Sequence, residues 1–195
     1  MVAKPQLPMQ TRPMTVADYD RLPDEGPRYE LIDGELIEMP APNRFHQQLS
    51  IRLALRLFQF VEEHDLGEVF EAPFDVQLLE SAVVQPDILF VSNARGWIVT
   101  DKRVVGAPDL VVEISSSSTA DHDLDDKREL YRQTGVPEYW FIDTDARTMT
   151  VWVLNDDHYD ELSVDEDGRS RSAVLSGFTV DMERVFADSD RPRRG

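Results

Sequence analysis

Two short apolar, β-branched runs carry one carboxylate each, and this pairing constrains the chain more than any bulk property. The first run is Val83-Val84-Gln85-Pro86-Asp87-Ile88-Leu89-Phe90-Val91, and the second is Leu110-Val111-Val112-Glu113-Ile114. Both read as buried strands, so the fold must be organised around a covered sheet. A buried strand tolerates a carboxylate only where something offsets its desolvation. A metal ion could do so, and Lys127 on the following helix could help.

The rest of the chain supplies the layers such a sheet needs. Thr15-Val16-Ala17-Asp18 has the form of a capped helix start leading to about Leu22. Tyr29 to Ile32 and Glu35 to Glu38 flank Asp33-Gly34, a tight-turn signal, and read as a hairpin. Asn43 caps a long helix to about His64. Leu49, Leu53, Leu57, Phe60 and Val61 form its stripe, and Ile51, Leu55 and Phe58 widen it enough to invite a partner subunit. Strands are expected at Glu68 to Phe70, Phe74 to Leu79, Val83 to Val91, Leu110 to Ile114 and Glu138 to Asp143. Met149 to Leu154 and Tyr159 to Ser163 form a further antiparallel pair. A second helix should run from about Asp121 to Thr134 and end at Gly135-Val136-Pro137. These elements predict an α+β domain, a central mixed sheet flanked by helices. It spans residues 14–186 as a single domain, with residues 1–13 and 187–195 expected to be disordered.

Composition removes several functions. The 195 residues contain no cysteine, which excludes disulfides, thiolate metal sites and cysteine nucleophiles. No apolar run reaches the length of a membrane span, and the N-terminus lacks the form of a signal peptide, so a soluble cytoplasmic protein with no membrane partner is expected. The net charge of -18 argues against coating nucleic acid by bulk electrostatics. It leaves room for an enzyme that meets nucleic acid locally or through divalent cations. The 23 Asp and 15 Glu against 17 Arg and 3 Lys suggest a surface adapted to high salt, where repulsion from a phosphate backbone would be screened. In so lysine-poor a chain, Lys127 inside a helix stands out.

Two carboxylates from neighbouring strands can hold Mg²⁺ or Mn²⁺, which take oxygen ligands and keep several waters. Such an ion polarises a phosphoryl oxygen and activates water, and a nearby lysine stabilises the developing charge. Asp109 and Glu113 share a strand face but their Cα atoms would lie ~13 Å apart, so Asp87 is the better partner for Glu113. Leu124, Lys127 and Tyr131 fall on one helical face, which should pack on the sheet and bring Lys127 toward Glu113.

With these residues in view, the chain resembles the Uma2 family (DUF820), restriction endonuclease-like proteins of the PD-(D/E)XK nuclease superfamily. The resemblance runs from about Thr15 to Phe186. It rests on Tyr29 to Glu35, Gln85-Pro86-Asp87-Ile88, Pro108 to Ser115, Lys127 to Tyr131 and Gly135 to Trp140. It implies metal ligation by Asp87 and Glu113. Pro86-Asp87 matches the superfamily's PD, whereas Glu113-Ile114-Ser115 places serine where lysine is usual, so the lysine would come from the helix as Lys127. Glu30 matches an additional metal-site acid of some superfamily nucleases, and His46 is a further candidate for the cleft.

Asp109 is better read as a strand start than a ligand, Ser115 and Ser117 as caps rather than nucleophiles, and Tyr131, Trp140 and Phe141 as core. The leading expectation is a metal-dependent endonuclease acting on DNA, possible as a homodimer. The alternatives are a catalytically inactive nuclease-like fold that binds nucleic acid or protein, and a hydrolase of a small phosphorylated substrate.

Overall fold

Asp33 and Gly34 adopt positive φ angles of 50° and 77°, the geometry that lets a two-residue turn match the twist of its strands. They join β1 (Tyr29–Ile32) to β2 (Glu35–Glu38). A Cβ on Gly34 would lie 2.5 Å from Pro13 Cβ, so that turn has no room for a side chain. The coordinates are a computed structural model describing residues 12–23, 25–115 and 117–190, with backbone alone for 117–124. Of the expected tails, 1–13 and 187–195, residues 1–11 and 191–195 lie outside the described residues.

A short helix, α1 (Val16–Tyr19), precedes the hairpin. After it come α2 (Arg44–Glu63), β3 (Gly67–Glu71), β4 (Asp75–Leu79), β5 (Ala82–Val84), β6 (Ile88–Ser92) and β7 (Arg103–Val105). Then follow β8 (Leu110–Ser115), α3 (Ser117–Thr134), β9 (Glu138–Asp143), β10 (Thr148–Asn155) and β11 (His158–Glu161). The described chain closes with β12 (Ser170–Arg171), β13 (Thr179–Val180) and α4 (Met182–Ser189). α4 therefore continues past residue 186, into the stretch expected to be a tail. Asp181 caps it by accepting from Arg184 N, and Val185 and Phe186 anchor it in the core.

The strands form a six-stranded sheet in the order β11-β10-β9-β8-β6-β3 and a five-stranded sheet in the order β2-β1-β5-β4-β7. β8 and β9 are parallel and joined through α3, while β6 and β3 continue the sheet antiparallel. The six-stranded sheet is covered on both faces. One face carries Ile88, Phe90, Leu110, Val112, Ile114, Trp140 and Ile142 and packs on α2 and α4. The other carries Leu89, Val91, Val111, Tyr139 and Phe141 and packs on α3 and the five-stranded sheet. This is the period-2 alternation of a pleated strand applied to strands buried on both sides.

The run Val83 to Val91 is not one strand. Its first part is β5 in the smaller sheet and its last part is β6 in the larger. Pro86 lacks the N–H that a continuous ladder needs, so the chain leaves one sheet there and enters the other. Asp87 lies at this crossing and outside either strand. α3 likewise begins earlier than expected, at Ser117.

α2 spans Arg44–Glu63, with Asn43 Oδ1 accepting from His46 N at 2.9 Å. Leu49, Leu53 and Leu57 are fully buried, each contributing about 1.5–3 kcal/mol of burial. Ile51, Leu55 and Phe58 remain exposed. Among the described residues, no helix is long and apolar enough to cross a membrane.

Candidate active site

Glu113 is set by alternation along β8. Val112 and Ile114 face α2 and α4, so Glu113 turns with Val111 toward α3. It is only 8% exposed. Its Oε1 accepts from Lys127 Nζ at 3.1 Å and from the Tyr131 hydroxyl at 2.6 Å. Lys127 and Tyr131 sit four residues apart on α3, on the face that meets the sheet. Lys127, 6% exposed, also donates to Glu30 Oε1 at 2.8 Å. Glu30, on β1, is 0% exposed, and the same oxygen accepts from Gln85 N at 2.8 Å.

Asp87 reaches β8 from the crossing between the sheets. Its Oδ2 accepts from Ile114 N at 2.7 Å, and its Oδ1 lies 3.3 Å from His46 Nε2. His46 stands in the first turn of α2, where the Asn43 cap fixes the helix start. Its Nε2 is also 2.9 Å from the carbonyl oxygen of Ile114. A cleft of about 1000 Å³ opens over these groups, with Arg28, His46, Gln85, Asp87, Glu113 and Lys127 in its lining.

The electrostatics follow from burial and proximity. Burial pushes the Glu113 carboxyl up to about 7. Lys127 and the Tyr131 bond oppose this, while the charges of Glu30 and Asp87 add to it. Burial works against the Lys127 ammonium, but the charges of Glu113 and Glu30 outweigh it and raise its pKa above the ordinary lysine value. Lys127 is therefore a fixed cation at neutral pH. Burial also disfavours charge on His46. The bond to Asp87, the Asp87 charge and the Ile114 carbonyl outweigh it and raise the histidine's pKa.

The model of the Uma2 family, described as "Putative restriction endonuclease", matches residues 16–183. The chain belongs to the Uma2 family. Among curated proteins, "Uncharacterized protein sll1609" of Synechocystis sp. (strain ATCC 27184 / PCC 6803 / Kazusa) is 26% identical over 136 residues, 68% of this chain and 76% of that protein. A crystal structure of "a putative nuclease belonging to DUF820" from Anabaena variabilis ATCC 29413 superposes with a TM-score of 0.75 at 19% identity. It covers 91% of this chain and 99% of its own. That likeness establishes a nuclease-like fold for this Uma2 chain.

The donor set suits a hard divalent cation in kind. Asp87 Oδ1 and the Ile114 carbonyl oxygen lie 3.3 and 2.9 Å from His46 Nε2, so both oxygens face that histidine. Glu113 lines the same cleft. Two carboxylates and a carbonyl are enough protein ligation for an ion that keeps its waters. Among the described residues, no cluster of three or more acidic or histidine side chains is gathered for an ion.

The structure thus brings together Asp87, Glu113, Lys127, Glu30 and His46 from five different elements or junctions. Asp109 is elsewhere. It accepts from Ser92 N at 2.8 Å and meets Arg95 at 3.4 Å, at the other end of β8. The Ser115 carbonyl accepts from Thr144 N at 2.9 Å and from its hydroxyl at 3.0 Å. Two contributors escaped the sequence reading. Tyr131 is core, as expected, but its hydroxyl binds Glu113. Gln85 supplies a backbone donor to Glu30, while its own Oε1 is buried without a partner. The signal for Tyr131 was present in its spacing from Lys127, since a buried tyrosine hydroxyl needs a partner.

Proposed function

We propose that this chain is a Mg²⁺- or Mn²⁺-dependent endonuclease hydrolysing phosphodiester bonds in DNA. The observation that carries this reading is the position of Lys127, which comes from α3 and lies 3.1 Å from Glu113 in the cleft that Asp87 and His46 also line. Serine at position 115 thus need not mean a missing cation. Asp87, Glu113 and the Ile114 carbonyl would hold the ion. When bound, it would supply Lewis-acid polarisation of the phosphoryl oxygen.

The chain's own residues do the remaining work. Lys127, held as an ammonium by two carboxylates, orients a water toward the phosphorus and offsets the charge that develops there. His46 borders the same space, where it can hold or pass a proton at Nε2. Arg28 lines the cleft and offers a phosphate a local cation in an otherwise acidic protein. The test is cleavage of plasmid DNA with Mg²⁺ or Mn²⁺ at low and high salt. The wild type should cut and Asp87→Ala should not; equal cleavage by both sinks the assignment.

A second reading, a nuclease-like fold that binds without cutting, draws on one observation. Asp87 Oδ2 and Glu113 Oε1 are already occupied by Ile114 N–H, Lys127 and Tyr131. Calorimetric titration with Mn²⁺ separates the two: a working site binds the ion, and Glu113→Ala abolishes that binding.

A further inference from the structure

Residues lining the cleft are joined in a closed circuit through Glu30, which lies behind them. Glu113 binds Lys127 at 3.1 Å, Lys127 binds Glu30 at 2.8 Å, and Glu30 accepts from Gln85 N at 2.8 Å. The chain then runs through Pro86 to Asp87, whose Oδ2 accepts from Ile114 N at 2.7 Å, next to Glu113 again. Glu30 is the link between the lysine on α3 and the segment that carries Asp87.

Two further facts define what Glu30 does. It is 0% exposed and is not among the residues lining the cleft, although Gln85, Asp87, Glu113 and Lys127 are. It also sits where strand pairing ends. β1 pairs with β5 at Leu31 and Val83, and β5 stops at Val84. The next N–H, at Gln85, leaves the ladder and needs an acceptor, and Glu30 Oε1 provides it.

We propose that Glu30 is a positioning residue and not a metal ligand: it closes the circuit that fixes Asp87, Glu113 and Lys127 relative to one another. This rests on the metal-site reading above for what the circuit positions, but the circuit itself is independent of it. Pro86 makes the connection stiff, because its φ is locked. A shift of Glu30 is therefore transmitted to Asp87 as well as to Lys127. The one atom through which Glu30 could instead reach a cation is Oε2, which is buried and has no partner.

The experiment compares Glu30→Gln, which keeps an acceptor oxygen for Gln85 N and Lys127, with Glu30→Ala, which keeps none. Calorimetric titration with Mn²⁺ reads the site. A lost supporting contact costs a metal site about 10–100-fold in affinity, so Glu30→Gln should bind at least about tenfold more tightly than Glu30→Ala. NMR of ¹⁵N-lysine-labelled, metal-free protein reads the circuit, since Lys4, Lys102 and Lys127 are the only lysines. The Lys127 ammonium protons should exchange with water faster in Glu30→Ala than in Glu30→Gln, with Lys102 unchanged. Equal losses of Mn²⁺ affinity in the two variants would make Glu30 a ligand, and equal exchange of Lys127 would break its tie to Glu30; either result overturns the proposal. Should Glu30→Ala not fold, Glu30→Leu fills the volume without an acceptor and takes its place. A wild type that binds no Mn²⁺ defeats the metal reading alone, and the exchange measurement still decides the role of Glu30.

Discussion

Glu113 and Glu138 are both buried carboxylates on adjacent parallel strands, yet their surroundings differ in kind. Glu138, on β9, accepts from Trp140 Nε1 at 2.5 Å, from Ser172 Oγ at 3.1 Å, and from the N–H groups of Ala173 and Val174 at 2.8 and 2.7 Å. Both of its oxygens are engaged by neutral donors, and it pins the segment before β13 to the sheet. Glu113 has a different company: a lysine shared with a second carboxylate, a tyrosine, and an open cleft. A buried carboxylate satisfied by local amides and hydroxyls is a structural fastening. One that depends on a cation and faces a cavity is a candidate for chemistry.

This contrast can be broken in several ways. The largest effect is expected from Lys127→Met. It would leave Glu30 and Glu113 buried side by side without their cation, a loss of about 3–5 kcal/mol, read as a lower urea midpoint of the metal-free protein at pH 8. A midpoint equal to that of the wild type would mean that the lysine does not hold the two acids together. Next is Glu138→Ala, which should cost about 2–4 kcal/mol by stranding buried donors and leave Mn²⁺ binding intact. Loss of Mn²⁺ binding in that variant would erase the distinction between the two carboxylates.

Tyr131→Phe should cost about 1.5–3 kcal/mol, the range for a hydrogen bond to a charged group, and push the Glu113 carboxyl still higher. A urea titration measures the first effect, and a carboxyl NMR titration of metal-free protein measures the second. A smaller, purely directional effect concerns pH. The Glu113 carboxyl rises from 4.5 to about 7 on folding, so between those values the folded state binds more protons than the unfolded. Its contribution to stability is present below pH 4.5 and is lost as the pH rises through about 7. The difference in urea midpoint between wild type and Glu113→Gln should follow that trend across pH 5–8; a flat difference would mean that Glu113 ionises normally.

Much of the fold was legible in the chain because its signals are local. The hairpin follows from Asp33-Gly34 between two short apolar runs, and α2 follows from Asn43 and the spacing of Leu49, Leu53 and Leu57. The face of α3 that carries Lys127 and Tyr131 was readable from helical spacing alone. Reading Val83 to Val91 as a single strand failed because composition cannot show a chain changing sheets, although Pro86 marks the place. α3 starts at Ser117, before the expected helix start near Asp121. The bond made by the Tyr131 hydroxyl is masked in the sequence because an aromatic on a packed helix face reads as core, which it also is.

The sequence by itself determined which residues could carry chemistry: carboxylates in apolar runs, one lysine on a packed helix face, and a histidine in the first turn of a capped helix. These are consequences of alternation and helical spacing, which act over a few residues. Only the tertiary structure decided how they meet. Lys127 and Glu30 are 97 positions apart in the chain, and no local rule relates them. What joins them is the packing of α3 against two sheets, which brings both carboxylates out of water beside one ammonium and makes each depend on the other.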